Sequence, residues 1–248
     1  MDDEVRSMIW GLPCYKYTVM KIELVICDLA GTTVKDNRDV HRVLQQAMGK
    51  FDINITLEEA NQVMGIPKPV AIKMLLESID SQHPLNNPAD IAHIHEVFVS
   101  DMVSFYQQDP SVEEKAGVTK TFRLLKDAGI KIGLDTGFDR KVTNAVINRM
   151  GWLAQGLVDL SVASDEVERG RPHPDMVHKA MMLLGIKDSK HVAKVGDTPS
   201  DLEEGFNAGC GLVIGITSGA FGAEELQKHR HTHLIGQIPE LPDILLEK

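Results

Sequence analysis

The stretch Val25–Thr33, "VICDLAGTT", decides how this chain folds. Apolar residues run straight into Asp28, and Gly31, Thr32 and Thr33 follow at once. That is the pattern of a buried strand with a carboxylate at its C-terminal end and a turn of small residues beyond it. Ala30, which can do no chemistry, stands two places after the acid.

Other short apolar runs repeat the strand signal: Lys21–Asp28, Ile130–Thr136, Leu157–Ser164, His191–Asp197 and Gly211–Thr217. Most are apolar on both faces, as strands are when helices cover a parallel sheet from either side. Helical patterns lie between them over Val118–Ala128, Arg140–Met150, Pro174–Leu184 and Ser200–Ala208. The alternation predicts an α/β fold, a doubly wound, Rossmann-like parallel sheet.

One interval breaks the rhythm. From about Asn37 to Asp109 the chain is helical, with a capping box at Thr56–Glu59, Gly65, Pro67 and Pro69 as interruptions, and helices over Val70–Ser78 and Ala89–Tyr106. An insert placed just after the first strand would sit over the C-terminal edge of the sheet, where open α/β sheets bind ligands. The expected organisation is an N-terminal extension (1–20), a core (21–36 and 110–248) and an inserted helical cap (37–109).

The 248-residue chain is 43% hydrophobic and 25% charged, ordinary values for a globular protein, with a formal net charge of −10. That charge excludes a general binder of nucleic acid or anionic membrane. No run reaches the roughly 18 apolar residues of a membrane span, and the acidic N-terminus is no secretory signal. Three unevenly spaced cysteines, Cys14, Cys27 and Cys210, fit a reducing, cytoplasmic setting. Cys27 and Cys210 read as small core residues.

Polar residues collect at the predicted strand ends. Asp28 ends the first strand and Thr136 the second, Arg171 and Lys179 follow the third, and Asp197 ends the fourth, with Asp201 four residues on. An aspartate after a strand often does no more than cap the next helix. Several elements in order, each at a strand end, instead make a site of hard oxygen ligands suited to Mg²⁺.

These motifs resemble those of the haloacid dehalogenase superfamily: "DLAGTT" its first, "LDTGF" its second, "GRPHP" its third and "VGDTPSD" its fourth, covering the chain from Lys21 onward. The resemblance implies that Asp28 is a nucleophile taking up a phosphoryl group, that Thr136 and Gly137 bind its oxygens, and that Arg171 balances their charge. It also implies that Mg²⁺ is held by Asp28, the Ala30 carbonyl, Asp197 and Asp201. Gly31, Thr32 and Thr33 would let backbone and hydroxyl donors approach the bound anion.

Most phosphatases of that superfamily carry a second aspartate where Ala30 stands, as general acid and base. Phosphonatases carry alanine there, and Met64-Gly65-x-x-Lys68 resembles their cap motif, whose lysine forms a Schiff base with phosphonoacetaldehyde. Lys68, at the start of a helix and shielded by a closed cap, would lose its proton more readily than an ordinary lysine. The tail from Gly215 onward resembles the phosphonatase-like hydrolases. The sequence departs from the phosphonatases at Ala71, Phe138 and Arg38, where they have histidine, tyrosine and cysteine.

The implied activity is therefore C–P bond hydrolysis of a small phosphonate. A phosphomonoester phosphatase, similar to phosphoglycolate phosphatases, and a weakly catalytic phosphometabolite-binding protein are the alternatives. The expected partner is a small phosphorylated or phosphonylated metabolite, with a homodimer left open. His229, His231 and His233 read as a polar turn entering a short strand. His93 and His95 point apart on one helix, and His173 has no assigned role.

Overall fold

The computed structural model describes residues 21–246, so the proposed N-terminal extension lies outside the described residues. The chain opens with β1 (Leu24–Asp28), whose residues are all buried. Four helices of the interval after β1 follow: α1 (Asp39–Gly49), α2 (Leu57–Gln62), α3 (Lys68–Ile79) and α4 (Pro88–Gln108). The remainder alternates: α5 (Val118–Asp127), β2 (Lys131–Thr136), α6 (Arg140–Met150), β3 (Leu160–Ala163), α7 (Asp175–Leu184), β4 (Val192–Gly196), α8 (Pro199–Asn207) and β5 (Leu212–Ile216). The last elements are α9 (Ala223–Leu226), β6 (His233–Ile235) and α10 (Leu241–Leu245).

The six strands form one parallel sheet in the order β3-β2-β1-β4-β5-β6. This is the doubly wound α/β arrangement, and its direction of winding reverses between β1 and β4, where a crevice opens at the strand C-termini. Alternation along β1 distributes the core. Val25 and Cys27 face a large cluster shared with α5, α6 and the helical insert, while Leu24 and Ile26 face a second cluster with Met176, Val177 and Leu202 of α7 and α8. Cys27 and Cys210 are free and buried, as expected of small core residues.

Local signals account for the helix starts. Thr56 and Glu59 make the capping box of α2, and Asn87 accepts from the Asp90 amide at the start of α4. Lys68 opens α3, two residues ahead of the sequence expectation, with Pro69 in the first turn. β3 is shorter than its apolar run, and just ahead of it the exposed Asp159 accepts the Ile132 amide through Oδ2 at 2.7 Å. None of the described helices is long and apolar enough to cross a membrane.

Candidate active site

The end of β1 and the end of β4 are neighbours, Cys27 pairing with Val195, so Asp28 and Asp197 emerge side by side at the crevice. The turn after Asp28 is tight: the amides of Thr33 and Val34 both donate to the Leu29 carbonyl, at 2.9 and 2.8 Å. Gly31 occupies it at φ 90°, and a Cβ there would meet Asp197 Oδ2 at 2.2 Å, so only glycine allows this approach. Thr32 Oγ1 donates to Asp197 Oδ1 at 2.8 Å, and the Ala220 amide donates to Asp197 Oδ2 at 2.6 Å.

Beneath Asp28 lies a buried ionic network. Arg171 donates through Nη1 to Asp28 Oδ1 at 2.7 Å and through Nε to Glu204 Oε2 at 3.0 Å, and pairs with Asp135 through Nη2. Lys194, in the middle of β4, lies 2.5 Å from Asp135 Oδ1, 3.0 Å from Glu204 Oε2 and 3.1 Å from Asp201 Oδ1. Asp201 serves two structures at once. Its Oδ2 closes the α8 capping box with Thr198, and its Oδ1 faces Arg171 at 3.0 Å.

Four buried carboxylates, Asp28, Asp135, Asp201 and Glu204, thus surround two buried cations, Arg171 and Lys194, and a fifth, Asp197, lies buried at the neighbouring strand end. Burial pushes Asp28 above the usual carboxylate range, with Arg171 acting against it and Asp201 and Asp197 adding to it. Asp197 rises for the same first cause, then through Asp201. An excess of negative charge among hard oxygen donors fits a divalent cation such as Mg²⁺. Carboxylate oxygens of Asp28, Asp135 and Asp201 come within 4.8 Å of one another. Asp135 in this group is tied to Arg171 and Lys194, whereas Asp197, the sequence choice, is tied to Thr32 and Ala220.

Above Asp28 is a tight cleft of about 30 Å³, lined by Asp28, Ala30, Thr136 and Arg171 together with Asp36 and Lys68. Lys68 is only 3% exposed, and its Nζ stands 5.7 Å from the Phe138 ring centroid and 5.9 Å from that of Phe98. Burial lowers its pKa to about 8, although Asp28 draws it up. Gly65 and Gly137 make this approach possible: a Cβ on Gly65 would meet Thr198 Oγ1 at 2.4 Å, and one on Gly137 the Gly65 carbonyl at 2.9 Å.

The fold therefore gathers Asp28, Ala30, Gly65, Lys68, Thr136, Gly137 and Arg171 around one cleft, with Asp197 and Asp201 beside its floor. Gly31, Thr32 and Thr33, expected to meet the anion, are not among the cleft-lining residues. Their own contacts run elsewhere: the Thr33 hydroxyl donates back to the Asp28 carbonyl at 2.8 Å, the Thr32 hydroxyl donates to Asp197, and Lys115 Nζ fastens the Gly31 carbonyl at 2.7 Å. A residue type reveals a hydroxyl but not its direction. Lys179, read with Arg171 at a strand end, instead donates to the Glu166 carbonyl at 2.9 Å, away from the cleft. Of the three alternate histidines only His233 lies in a strand.

Sequence reasoning missed Asp36, Asp135, Lys194 and Glu204. Asp135 and Lys194 did leave a signal, a single charge inside each of two apolar strands, of opposite sign on either side of β1. Glu204 looks like an ordinary acid within a helix, and Asp36 like one ahead of a helix start.

A family model of the haloacid dehalogenase-like hydrolases matches residues 22–209. Phosphonoacetaldehyde hydrolase from Bacillus cereus (strain B4264) is 34% identical over 222 residues, which cover 84% of this chain and 82% of that protein. Among solved structures, a phosphonoacetaldehyde hydrolase-like protein from Oleispira antarctica superposes with a TM-score of 0.76 at 24% identity, covering 91% of both chains. A predicted phosphoglycolate phosphatase from Haemophilus somnus does so at 0.74 and 16% identity, over 90% of this chain and 97% of its own. The two structural likenesses bear on the fold alone.

Proposed function

This chain belongs to the haloacid dehalogenase-like hydrolases, in their phosphonatase-like group, and from that premise we propose that it cleaves the C–P bond of a small phosphonate bearing a carbonyl group. Phosphonoacetaldehyde or a close relative is the substrate this reading favours. The observation that carries it is Lys68, a buried amine sharing one cleft with Asp28, where Ala30 leaves no acid for an oxygen leaving group.

The residues 37–109 serve as the cap, and the carbonyl end of the substrate faces Lys68 while the phosphonyl end rests on Asp28, Thr136 and Arg171. Lys68 condenses with the carbonyl to an iminium. Asp28 then attacks phosphorus, and the C–P electron pair moves into the iminium, forming an enamine on Lys68 and an aspartyl-phosphate on Asp28. A carbon leaving group needs no proton from position 30 at that moment. Water hydrolyses the aspartyl-phosphate, the enamine takes a proton on carbon, and water releases the aldehyde from Lys68. Arg171, fixed by buried carboxylates, stands ready against the charge that develops on the phosphoryl oxygens. Mg²⁺, held by Asp28, Asp197 and the Ala30 carbonyl with Asp201 behind, would supply further charge neutralisation there. A cytoplasmic setting suits the free cysteines Cys27 and Cys210.

The test is phosphate release from phosphonoacetaldehyde and from 2-phosphoglycolate, with Mg²⁺ present. Asp28→Asn should abolish turnover, and Lys68→Ala should reduce the phosphonate reaction by about 10³-fold or more. A wild-type protein inert toward phosphonoacetaldehyde, hydrolysing 2-phosphoglycolate at a rate indifferent to Lys68, would replace this reading with that of a phosphomonoester phosphatase.

A further inference from the structure

Iminium formation needs a group that gives and takes protons beside the amine, and neither Ala30 nor Ala71 can be that group. Among the described residues lining the cleft, the ionisable side chains are Asp28, Asp36, Lys68 and Arg171. Asp28 faces phosphorus and Arg171 is held by four carboxylates, so neither is free to shuttle protons at the carbonyl. That leaves Asp36.

Asp36 is well built for the task. Its Oδ1 accepts from the amides of Asp39 at 2.6 Å and Val40 at 3.2 Å, which fixes the carboxyl at the head of α1. Its Oδ2 makes no hydrogen bond among the described residues and lies 3.9 Å from His41 Nδ1. His41 is buried, its Nε2 is 2.8 Å from Asn61 Oδ1, and its Nδ1 has no hydrogen-bond partner. With Nε2 donating to the amide oxygen, Nδ1 is left as a lone pair turned toward Asp36. A lone pair there favours the protonated acid over a bare carboxylate. Burial also raises the Asp36 pKa, with His41 acting against it, and it lowers that of His41.

We infer that Asp36 is the catalytic acid and base for the Lys68 chemistry, with His41 and Asn61 as its positioning residues. The inference rests on the carbonyl-phosphonate reading above. The neutral amine forms the N–C bond as the carbonyl π pair moves to oxygen. That oxygen takes the proton of Asp36, and the resulting carboxylate takes one from nitrogen, giving a neutral carbinolamine. Asp36 then returns the proton to the hydroxyl, water departs, and an iminium cation remains beside the Asp36 carboxylate. An amine and an aldehyde enter, an iminium and water leave, and the charge balances.

The experiment uses the full chain carrying Asp28→Asn, which cannot cleave the substrate, so that an adduct with phosphonoacetaldehyde accumulates. Borohydride fixes it, and the mass of the peptide containing Lys68 gives its rate of formation. Adding Asp36→Asn, which keeps an oxygen for the helix amides, should slow that rate by about 10²-fold or more, and Asp36→Glu should recover part of it. Asp36→Ser, which also removes the carboxyl, should be as slow as Asp36→Asn while its thermal melt reports an intact fold. Unchanged rates in folded Asn and Ser variants overturn the inference and leave the lysine reading standing. Absence of any adduct when Asp36 is intact removes the lysine reading and this inference with it. Independently of any Asp36 variant, adduct formation that runs equally fast in water and in deuterium oxide overturns it.

Discussion

Ala30 and Lys68 form one argument at the scale of single residues. Losing the acid at position 30 is harmless only if the leaving group does not need it, and a buried amine is what makes a carbon leaving group depart. The Lys68 pKa, lowered to about 8 by burial, fixes the sign of a pH effect. Below that pH the ammonium form dominates and cannot attack, so in the Asp36→Asn background, where no second acid titrates, adduct formation should rise about tenfold per pH unit and flatten above it. An exposed lysine would go on rising to about 10.4. Borohydride trapping across this range distinguishes the two. Conversely, Ala30→Asp should raise kcat on an alkyl phosphomonoester by about 10²-fold, since it restores the proton donor such a leaving group requires. Asp28, Arg171 and Lys68 were legible because strand ends and motif spacing announce them. Asp36 was not, since an aspartate three residues ahead of α1 is what any helix start looks like. Thr32 and Thr33 were legible as hydroxyls but not as hydroxyls turned inward.

At the scale of elements, strands β2 and β4 explain how the nucleophile is held. Each carries one buried charge in an apolar run, Asp135 and Lys194, and the two meet across β1 beneath Asp28. Strand existence was readable from composition, but which charge meets which depends on strand order, and no single run contains that. Lys194→Met should leave Asp135, Asp201 and Glu204, together with Asp28, on Arg171 alone, four buried acids against one cation. Breaking a buried pair from one side costs about 3–5 kcal/mol, which the midpoint of urea unfolding would report. Adding Glu204→Gln to Lys194→Met removes one of the orphaned charges, so the double variant should be more stable than the single. Helix starts were more legible than strand partners because a cap is a local matter. The Thr56–Glu59 box reads directly from the sequence, whereas the start of β3 follows an Asp159 carboxylate that takes the Ile132 amide of the neighbouring strand.

At the scale of the whole molecule, the sheet places its acids at the reversal between β1 and β4, and the helical insert leaves β1 and returns over that point. The β-α rhythm predicted this architecture, and the interruption from Asn37 to Asp109, read as an insert, holds the four helices α1–α4. How closely the insert would press on the sheet could not be read, because contact across a seam depends on backbone paths rather than residue types. Gly137 shows how little room there is: a methyl group on it would stand 2.9 Å from the Gly65 carbonyl and 3.1 Å from that of Ile66. Both neighbours are backbone, so no side chain can swing aside. Gly137→Ala should therefore lift the segment leading into α3 by a few tenths of an ångström and carry Lys68 away from Asp28. Misplacement of reacting groups by about 1 Å can cost about 10²-fold, so kcat/KM on phosphonoacetaldehyde should fall by about tenfold. The large apolar clusters on either face of the sheet do not include Gly137, and the urea midpoint should move little. A variant that unfolds earlier while keeping its kcat/KM would mean that the seam holds the fold together and does not position Lys68.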